Sequence, residues 1–170
     1  FTFVSSLSAE ETSPTAAEFL DQVRTLAESE AATDSLTVVG SDGWLFVEQE
    51  LRHLGTGTFW GEAAAGASQA SSPDMADPLS AILDFNRQLT EAGVKLILVP
   101  IPPKAVVYPD KLPSSVTAAS GKVPDERLDP NHQAFYQLLR ESGVSVLDPT
   151  ELLLAARAED KTEGPVYART

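Results

Sequence analysis

The chain has 170 residues, of which 42% are hydrophobic and 22% are charged, a composition that suits one soluble globular domain. Asp and Glu total 25 against 12 Lys and Arg, and the net charge of −13 argues against binding to nucleic acid or to anionic lipid. The absence of cysteine excludes disulfides, thiolate metal sites and a cysteine nucleophile. No apolar run approaches the roughly 20 residues of a membrane-spanning helix.

Residues 1–35 are predicted to form an N-terminal segment followed by a helix. Residues 1–9 resemble the tail of a signal peptide, but the positively charged start is missing, and this favours the alternative of a frayed terminus. Thr12-Ser13-Pro14 carries a capping hydroxyl and a proline in the first turn. Apolar residues at helical spacing then predict a helix that ends near Ala32.

Two short strands around a tight turn are predicted next, at 36–40 and 44–47, with Gly43 supplying a positive φ. Residues 55–76 lack periodicity and are predicted to form a long loop. This loop contains Phe59 and Trp60, whose rings either fill the core or stack on sugar rings.

A βαβ rhythm follows from residue 77 to the end of the chain. Asp77-Pro78 begins a helix with Phe85 on its apolar side, and Gly93 ends it. Residues 94–101 form an unbroken apolar run, which is typical of a strand buried on both faces. A proline-rich excursion at 102–128 precedes a helix that Asp129-Pro130 begins and Gly143 ends. Residues 144–148 then predict a strand, Pro149 a helix, and 166–168 the start of another strand.

This order predicts an α/β protein with a parallel sheet and helices on both faces, a three-layer α/β/α sandwich. Ligands of such sheets bind outside the carboxyl ends of the strands, which here is the region just after Ile101. Pro103 and Lys104 lie there.

The common catalytic motifs are absent, because the sequence contains no nucleophile elbow, phosphate loop or dinucleotide-binding glycine pattern. His53 and His132 have no metal-ligand spacing, and nothing in their spacing favours a catalytic role. Asp148 follows a predicted strand and is a weak catalytic candidate, but Asp before Pro149 is also a helix-start signal. No metal or cofactor is predicted.

Lysines dominate the segment from Lys95 to Lys122, which also contains Lys104 and Lys111, on a chain that is otherwise acidic. This segment either forms a cationic patch for an anionic substrate or carries ordinary solvated lysines.

Four blocks in the same order resemble the periplasmic alginate O-acetyltransferases, which are SGNH-hydrolase-like proteins of bacterial exopolysaccharide modification. The blocks are Gly40-Ser-Asp-Gly-Trp-Leu-Phe46 with Glu50-Leu51, Val99-Pro-Ile-Pro-Pro-Lys104 with Tyr108-Pro109, Gly143-Val-Ser-Val-Leu-Asp148 with Leu152, and Val166-Tyr-Ala-Arg-Thr170.

The resemblance implies that residues 36–170 are the first part of an SGNH-hydrolase-like acetyltransferase domain, incomplete at its C-terminus. In that family the Asp-x-His pair of the triad directly follows the position that matches Thr170, and the serine lies further on. The resemblance therefore implies an extracytoplasmic enzyme that acetylates polysaccharide hydroxyls through a serine acyl-enzyme. The 170 residues alone are predicted to be inactive, because no residue here matches the triad.

Supporting roles are expected for a few residues: Lys104, Pro103 and Trp60 would contact the substrate, and Arg169 would position the strand that carries the acid and base. The partners implied are a polysaccharide, an acetyl donor delivered by a membrane protein, and an envelope protein complex. Because alginate is a polyanion, either the lysine-rich segment faces it or the acceptor is a neutral glycan.

Two other functions stay open at this point. One is a non-catalytic glycan-binding or scaffold component of an envelope secretion complex, with Trp44, Phe59 and Trp60 as a stacking platform. The other is a carbohydrate ester hydrolase, in which water accepts the acyl group.

Overall fold

The first helix of the computed structural model, which describes residues 14–68, 70–117, 122–158 and 165–169, is α1 (Ala16–Ala31). Its capping residue is Thr15, rather than the predicted Thr12 or Ser13, which lie outside the described residues. The Thr15 hydroxyl accepts a hydrogen bond from the Glu18 N–H, and the Glu18 carboxylate accepts one from the Thr15 N–H. This reciprocal box satisfies two N–H groups that have no partner within the helix. The predicted end near Ala32 is confirmed.

The predicted hairpin is confirmed: β1 (Thr37–Val39) pairs antiparallel with β2 (Leu45–Val47), and Gly43 adopts a φ of 78° in the turn. Helix α2 (Glu48–Gly55) follows β2 directly. This helix was not predicted from the sequence.

The predicted loop at 55–76 is partly wrong, because it contains α3 (Ala64–Ala67) and short 3₁₀ turns at 61–63 and 73–75. Helix α4 (Pro78–Glu91) begins where predicted, and the Asp77 carboxylate accepts a hydrogen bond from the Leu79 N–H at 2.9 Å. Phe85, expected on the buried side, is exposed because it lies to the side of the inward stripe of Leu79, Ile82 and Leu83.

Two strands form the parallel part of the fold: β3 (Ile97–Leu98) pairs with β4 (Ser145–Val146). The prediction that 94–101 is buried on both faces is wrong. Leu96 and Leu98 pack inward, whereas Ile97 is 56% and Val99 45% exposed. An apolar run does not reveal what covers its second face, and Pro100 ends the ladder early because it has no N–H to donate.

Three further helices complete the described chain: α5 (Lys104–Val107), α6 (Pro130–Glu141) and α7 (Thr150–Ala158). The predicted strand at 166–168 is wrong, since these residues form a bend. The N–H of Val166 donates to the Tyr108 hydroxyl instead of to a neighbouring strand. Among the described residues, no helix is both long enough and apolar enough to cross a membrane.

The buried side chains form two clusters. The first joins α1, the hairpin, α2 and α5 around Phe19, Phe46, Leu51 and Val107. The second joins α4, α6 and the parallel strands around Phe59, Phe135 and Leu139. The carboxyl end of β3 leads into the space between α2 and α6, which is where a cavity opens.

Candidate functional site

A cavity of about 430 Å³ lies between α2, α6 and the residues that follow β3. The strand end contributes Pro100, Ile101 and Pro103 to its wall. The expectation that a crevice borders the end of this strand is therefore met by geometry. The remaining lining residues come from α2, from α6 and from the second cluster: Gln49, Glu50, His53, Phe59, Leu98, His132, Phe135 and Tyr136.

Aromatic rings form most of one wall. The Phe59 ring lies 4.9 Å from Phe135, 5.1 Å from His132 and 4.7 Å from His53, measured between ring centroids. Trp60 packs edge-on against Phe59 from behind. These tilted and edge-to-face contacts pack the rings against one another, so the wall is largely apolar.

His132 is the most constrained polar group of the cavity. The residue is only 8% exposed, and its Nδ1 has no hydrogen-bond partner among the described residues. Burial lowers the pKa of His132 to about 4, with a smaller contribution from His53, whose ring centroid lies 5.2 Å away. Burial also lowers the pKa of His53. Both imidazoles are therefore neutral near pH 7, and each offers one donor and one acceptor nitrogen.

The remaining polar groups of the wall are Gln49, Glu50 and the Tyr136 hydroxyl. Burial raises the pKa of Tyr136 to about 12, so this phenol is neutral and remains a donor. Among the described residues, Glu50 is the one acidic residue of the lining, and no lysine or arginine belongs to it. Within the described parts of the chain, no three His, Asp or Glu side chains are grouped as metal ligands.

Beside this cavity, residues 165–169 dock against β2 and the strand end. The Tyr167 hydroxyl donates to the Pro102 carbonyl at 2.6 Å, and the Leu45 N–H donates to the Arg169 carbonyl at 2.7 Å. Burial raises the pKa of Tyr167, and the Glu50 carboxylate adds to this shift. The docked segment lies close to the cavity wall, because Pro102 stands between the lining residues Ile101 and Pro103.

The predicted substrate contacts are distributed over several places. Pro103 lines the cavity, and Trp60 lies behind its aromatic wall. The Lys104 ammonium donates to the Leu45 carbonyl at 2.8 Å, and the Arg169 carbonyl accepts from the Leu45 N–H. Lys104 and Arg169 therefore both bind the backbone of Leu45. Their roles with substrate stay predictions.

Asp148 lies in an ion network rather than in the cavity. Its carboxylate accepts hydrogen bonds from the N–H and the hydroxyl of Thr150, the first residue of α7. It also accepts one from Arg127 at 2.8 Å. Burial alone would raise the pKa of Asp148, but these hydrogen bonds outweigh it and hold the pKa below its ordinary value. The geometry is that of a helix cap. Asp129, predicted to cap α6, makes no side-chain cap and instead binds Arg127.

The predicted stacking platform of Trp44, Phe59 and Trp60 is not formed. Trp44 is buried in the first cluster against Tyr108, at 4.3 Å between centroids, whereas Phe59 belongs to the second. The pairing of the cavity's two histidines was not predicted from the sequence. Their 79-residue separation gives no local signal, although Leu51 and Leu54 at helical spacing indicate the helix that carries His53.

Comparison with known proteins places this architecture in a class. Residues 37–170 match the family model described as the SGNH hydrolase-like domain of the acetyltransferase AlgX. The chain belongs to this family of SGNH hydrolase-like acetyltransferase domains, as the four sequence blocks indicated.

A curated relative is the probable alginate O-acetylase AlgJ of Pseudomonas aeruginosa, to which the chain is 29% identical over 133 residues. The match covers 78% of this chain and 27% of the length of that relative. No solved structure matches the chain.

Stability should fall as the pH falls from about 6.5 towards 4, because of His132. Its pKa is about 4 in the folded chain against 6.5 when unfolded, so the unfolded chain binds more protons in this range. The expected loss is at most about 3 kcal/mol. Urea unfolding at several pH values measures it.

The matched control is His132→Phe, which keeps an aromatic ring and removes the titrating group. Its free energy of unfolding should vary less with pH in this window, with His53 and, towards pH 4, Asp148 contributing to the variation that remains. An unchanged slope in the variant would contradict the assignment.

Proposed function

We propose that this chain is part of an extracytoplasmic O-acetyltransferase that acetylates hydroxyls of a bacterial exopolysaccharide. The acyl group would be carried by a serine whose triad lies outside residues 1–170. The observation that carries the proposal is the family match over 37–170, together with the docked segment at 165–169. An activity at the cavity also agrees with the rule that ligands of parallel sheets bind beyond the strand ends.

The docked segment at 165–169 supports a proposal for where the catalytic residues outside this chain would lie. In the resembled family the Asp-x-His pair follows the position of Thr170. Because Arg169 is held at β2 and Tyr167 at Pro102, that pair would begin beside the strand end and the cavity. Lys104 and Arg169 would act there by positioning the backbone around Leu45.

The partners of the proposed enzyme follow from the same family relationship. A polysaccharide would be the acceptor, and a membrane protein of an envelope complex would deliver the acetyl group. Two of the lysines expected to meet an anionic polymer are used internally: Lys104 binds the Leu45 carbonyl and Lys111 pairs with Asp42 at 2.8 Å. This favours a neutral glycan over an anionic one.

The 170-residue chain should not turn over acetyl esters, and the same polypeptide extended through its downstream sequence should. Release of nitrophenol from 4-nitrophenyl acetate, followed by acetyl transfer to an oligosaccharide, measures both. The 170-residue chain is expected to hydrolyse the ester no faster than the buffer blank, because no residue in it matches the catalytic triad of nucleophile, base and orienting carboxylate.

A double variant, His53→Gln with His132→Gln, controls for simple imidazole catalysis of this activated ester. Turnover by the unaltered chain that persists in the double variant would refute the proposal that the triad lies elsewhere. An extended polypeptide that binds glycan but transfers nothing would favour the second candidate, a glycan-binding component. The aromatic wall around Phe59 and Phe135 is the observation that supports this candidate.

We also propose that β3 and β4 belong to a larger parallel sheet within a three-layer α/β/α sandwich, with residues outside this chain supplying further strands. The support is the exposure of apolar side chains on the strands, in the segments that flank them and on two of the helices. They are Val94, Ile97, Val99, Ile101 and Leu147, with Phe85 on α4 and Leu152 on α7. Exposed apolar patches of this kind mark surfaces that are covered in the assembled protein.

Ile97→Lys distinguishes a covered strand from an exposed one. In the 170-residue chain we expect a change in unfolding free energy within about 0.5 kcal/mol, because the side chain faces solvent. In the extended polypeptide the same change should cost about 2–5 kcal/mol, since a lysine would be buried. Ala81→Lys, at an exposed position of α4, should be neutral in both. Equal, small effects of Ile97→Lys in both polypeptides would reject the larger sheet.

A further inference from the structure

We infer that Tyr108 and Tyr167 form a clamp that fixes residues 166–169 beside the end of β3, and that both are positioning residues for the proposed acyl transfer. The inference rests on the proposed function and deepens it, because it names the groups that hold the segment from which the acid and base would follow. No role was assigned to either tyrosine from the sequence.

Three hydrogen bonds, to three different parts of the fold, hold this short segment. The Val166 N–H donates to the hydroxyl of Tyr108, which directly follows α5, at 3.0 Å. The Tyr167 hydroxyl donates to the Pro102 carbonyl at 2.6 Å. The Arg169 carbonyl accepts the third hydrogen bond, at 2.7 Å, from an N–H of β2. Because the three partners lie on separate elements, together they determine both the position and the direction of the segment.

Hydrogen bonds, more than packing, hold the segment in place. Of its five described residues, 165–169, all except Tyr167 are exposed, and the Tyr167 ring is the one that packs against the first cluster. The two tyrosine hydroxyls therefore decide where the backbone lies. A phenylalanine at either position keeps the ring and removes the hydroxyl, so the two contributions can be separated by experiment.

The Tyr108 ring is packed on several sides, which places its hydroxyl. The residue is 2% exposed, and its ring centroid lies 4.3 Å from that of Trp44. The Arg157 guanidinium lies over the same ring, 5.1 Å from the centroid. Tyr167 meets this ring edge-on, at 6.3 Å between centroids. Because the two phenols contact each other, we expect the loss of one hydroxyl to loosen the hold of the other.

The partner of Tyr167 explains why a hydroxyl is needed at this position. Pro102 and Pro103 have no N–H, so this part of the chain offers only carbonyl oxygens to the segment. A side-chain donor must meet them. Burial raises the pKa of Tyr167, which keeps the phenol protonated and able to donate. Since Pro103 lines the cavity, this hydrogen bond ties the segment to the cavity wall.

The position of the segment matters for the proposed chemistry. A chain advances at most about 3.6 Å per residue, so an acid and a base within three residues of Thr170 stay within about 11 Å of it. Catalytic groups must be held within roughly 0.5 Å of the productive geometry, and a displacement of about 1 Å can lower the rate about a hundredfold. A released segment should therefore lower kcat, whereas KM should change little.

Hydrogen exchange of the 170-residue chain tests the clamp without any activity. The reporter is the Leu45 amide, which is bonded to Arg169 and not to either tyrosine. In Tyr167→Phe this amide should exchange about five- to tenfold faster, the value of one hydrogen bond. The midpoint of urea unfolding should stay close to that of the unaltered chain. Thr25→Val removes an exposed hydroxyl that donates to a backbone carbonyl of α1, and this control should leave the Leu45 amide unaffected.

The kinetics of the extended polypeptide test the positioning role. Tyr167→Phe and Tyr108→Phe should each lower kcat for acetyl transfer about tenfold or more. KM should stay within about twofold of its original value, because the hydroxyls act on geometry and not on substrate binding. The double variant should lose less than the product of the two single losses, since both residues serve one clamp. Tyr167→Phe remains informative if the buried Tyr108→Phe does not fold.

Each outcome decides a separate point. An unchanged exchange rate of Leu45 in Tyr167→Phe would overturn the clamp. Faster exchange without a fall in kcat, or a loss confined to KM, would overturn the positioning role and retain the enzyme. An unaltered extended polypeptide that transfers no acetyl group would reject the proposed function, and the Leu45 amide would still decide whether the clamp exists.

Discussion

The arrangement of the candidate site depends on one buried ion network, centred on Arg127. Its guanidinium binds the Asp129 carboxylate through two hydrogen bonds, of 2.7 and 2.6 Å, and the Asp148 carboxylate through a third. Asp129 is only 1% exposed, so its charge must be compensated within the fold. The two hydrogen bonds to Asp129 raise the pKa of Arg127 further, which keeps the guanidinium charged. Asp129 precedes α6 and Asp148 precedes α7, so a single side chain ties the first residues of both helices together. His132 lies in the first turn of α6, and its place in the cavity wall follows from this anchoring.

Charge is segregated in this chain in a way that bears on its ligand. The net charge of −13 resides on an acidic surface, while Lys104, Lys111 and Arg127 are bound to partners within the fold. The described lining of the cavity is largely aromatic and carries neutral imidazoles beside one carboxylate. An uncharged glycan avoids the repulsion that a polyanion would meet at both the surface and the cavity. The proposed acceptor therefore differs from alginate, the polymer after which the relative AlgJ is named.

Local patterns in the sequence predicted local structure well. The hairpin at 37–47, the capped α4 and the Gly-terminated α6 depend on residues close in sequence, so turn glycines, caps and helical spacing identify them. Burial was harder to predict. The apolar run at 94–101 indicates a strand, but whether its second face is covered depends on other parts of the protein, and Ile97 lies exposed. The family resemblance, read from four dispersed blocks, was confirmed over 37–170.

The candidate site was only partly predictable for the same reason. Strand topology placed a crevice after Ile101, and Pro103 lines it. The pairing of His53 with His132, and the capture of Asp129 by Arg127, are long-range or competing interactions that no local pattern encodes. Asp129 shows the competition directly, because a residue with a cap signature binds a buried guanidinium instead.

Hydrogen exchange of the Arg127→Lys variant tests the central constraint most directly. Lysine keeps the charge but cannot bind Asp129 with two parallel hydrogen bonds while also reaching Asp148. Amides of 130–141 and 150–158 should therefore exchange faster together, by about tenfold or more, while those of 16–31 stay unchanged. Arg87→Lys, in an exposed pair network on α4, should leave all three helices unaffected. Unchanged exchange in Arg127→Lys, or faster exchange in only one of the two helices, would contradict the account.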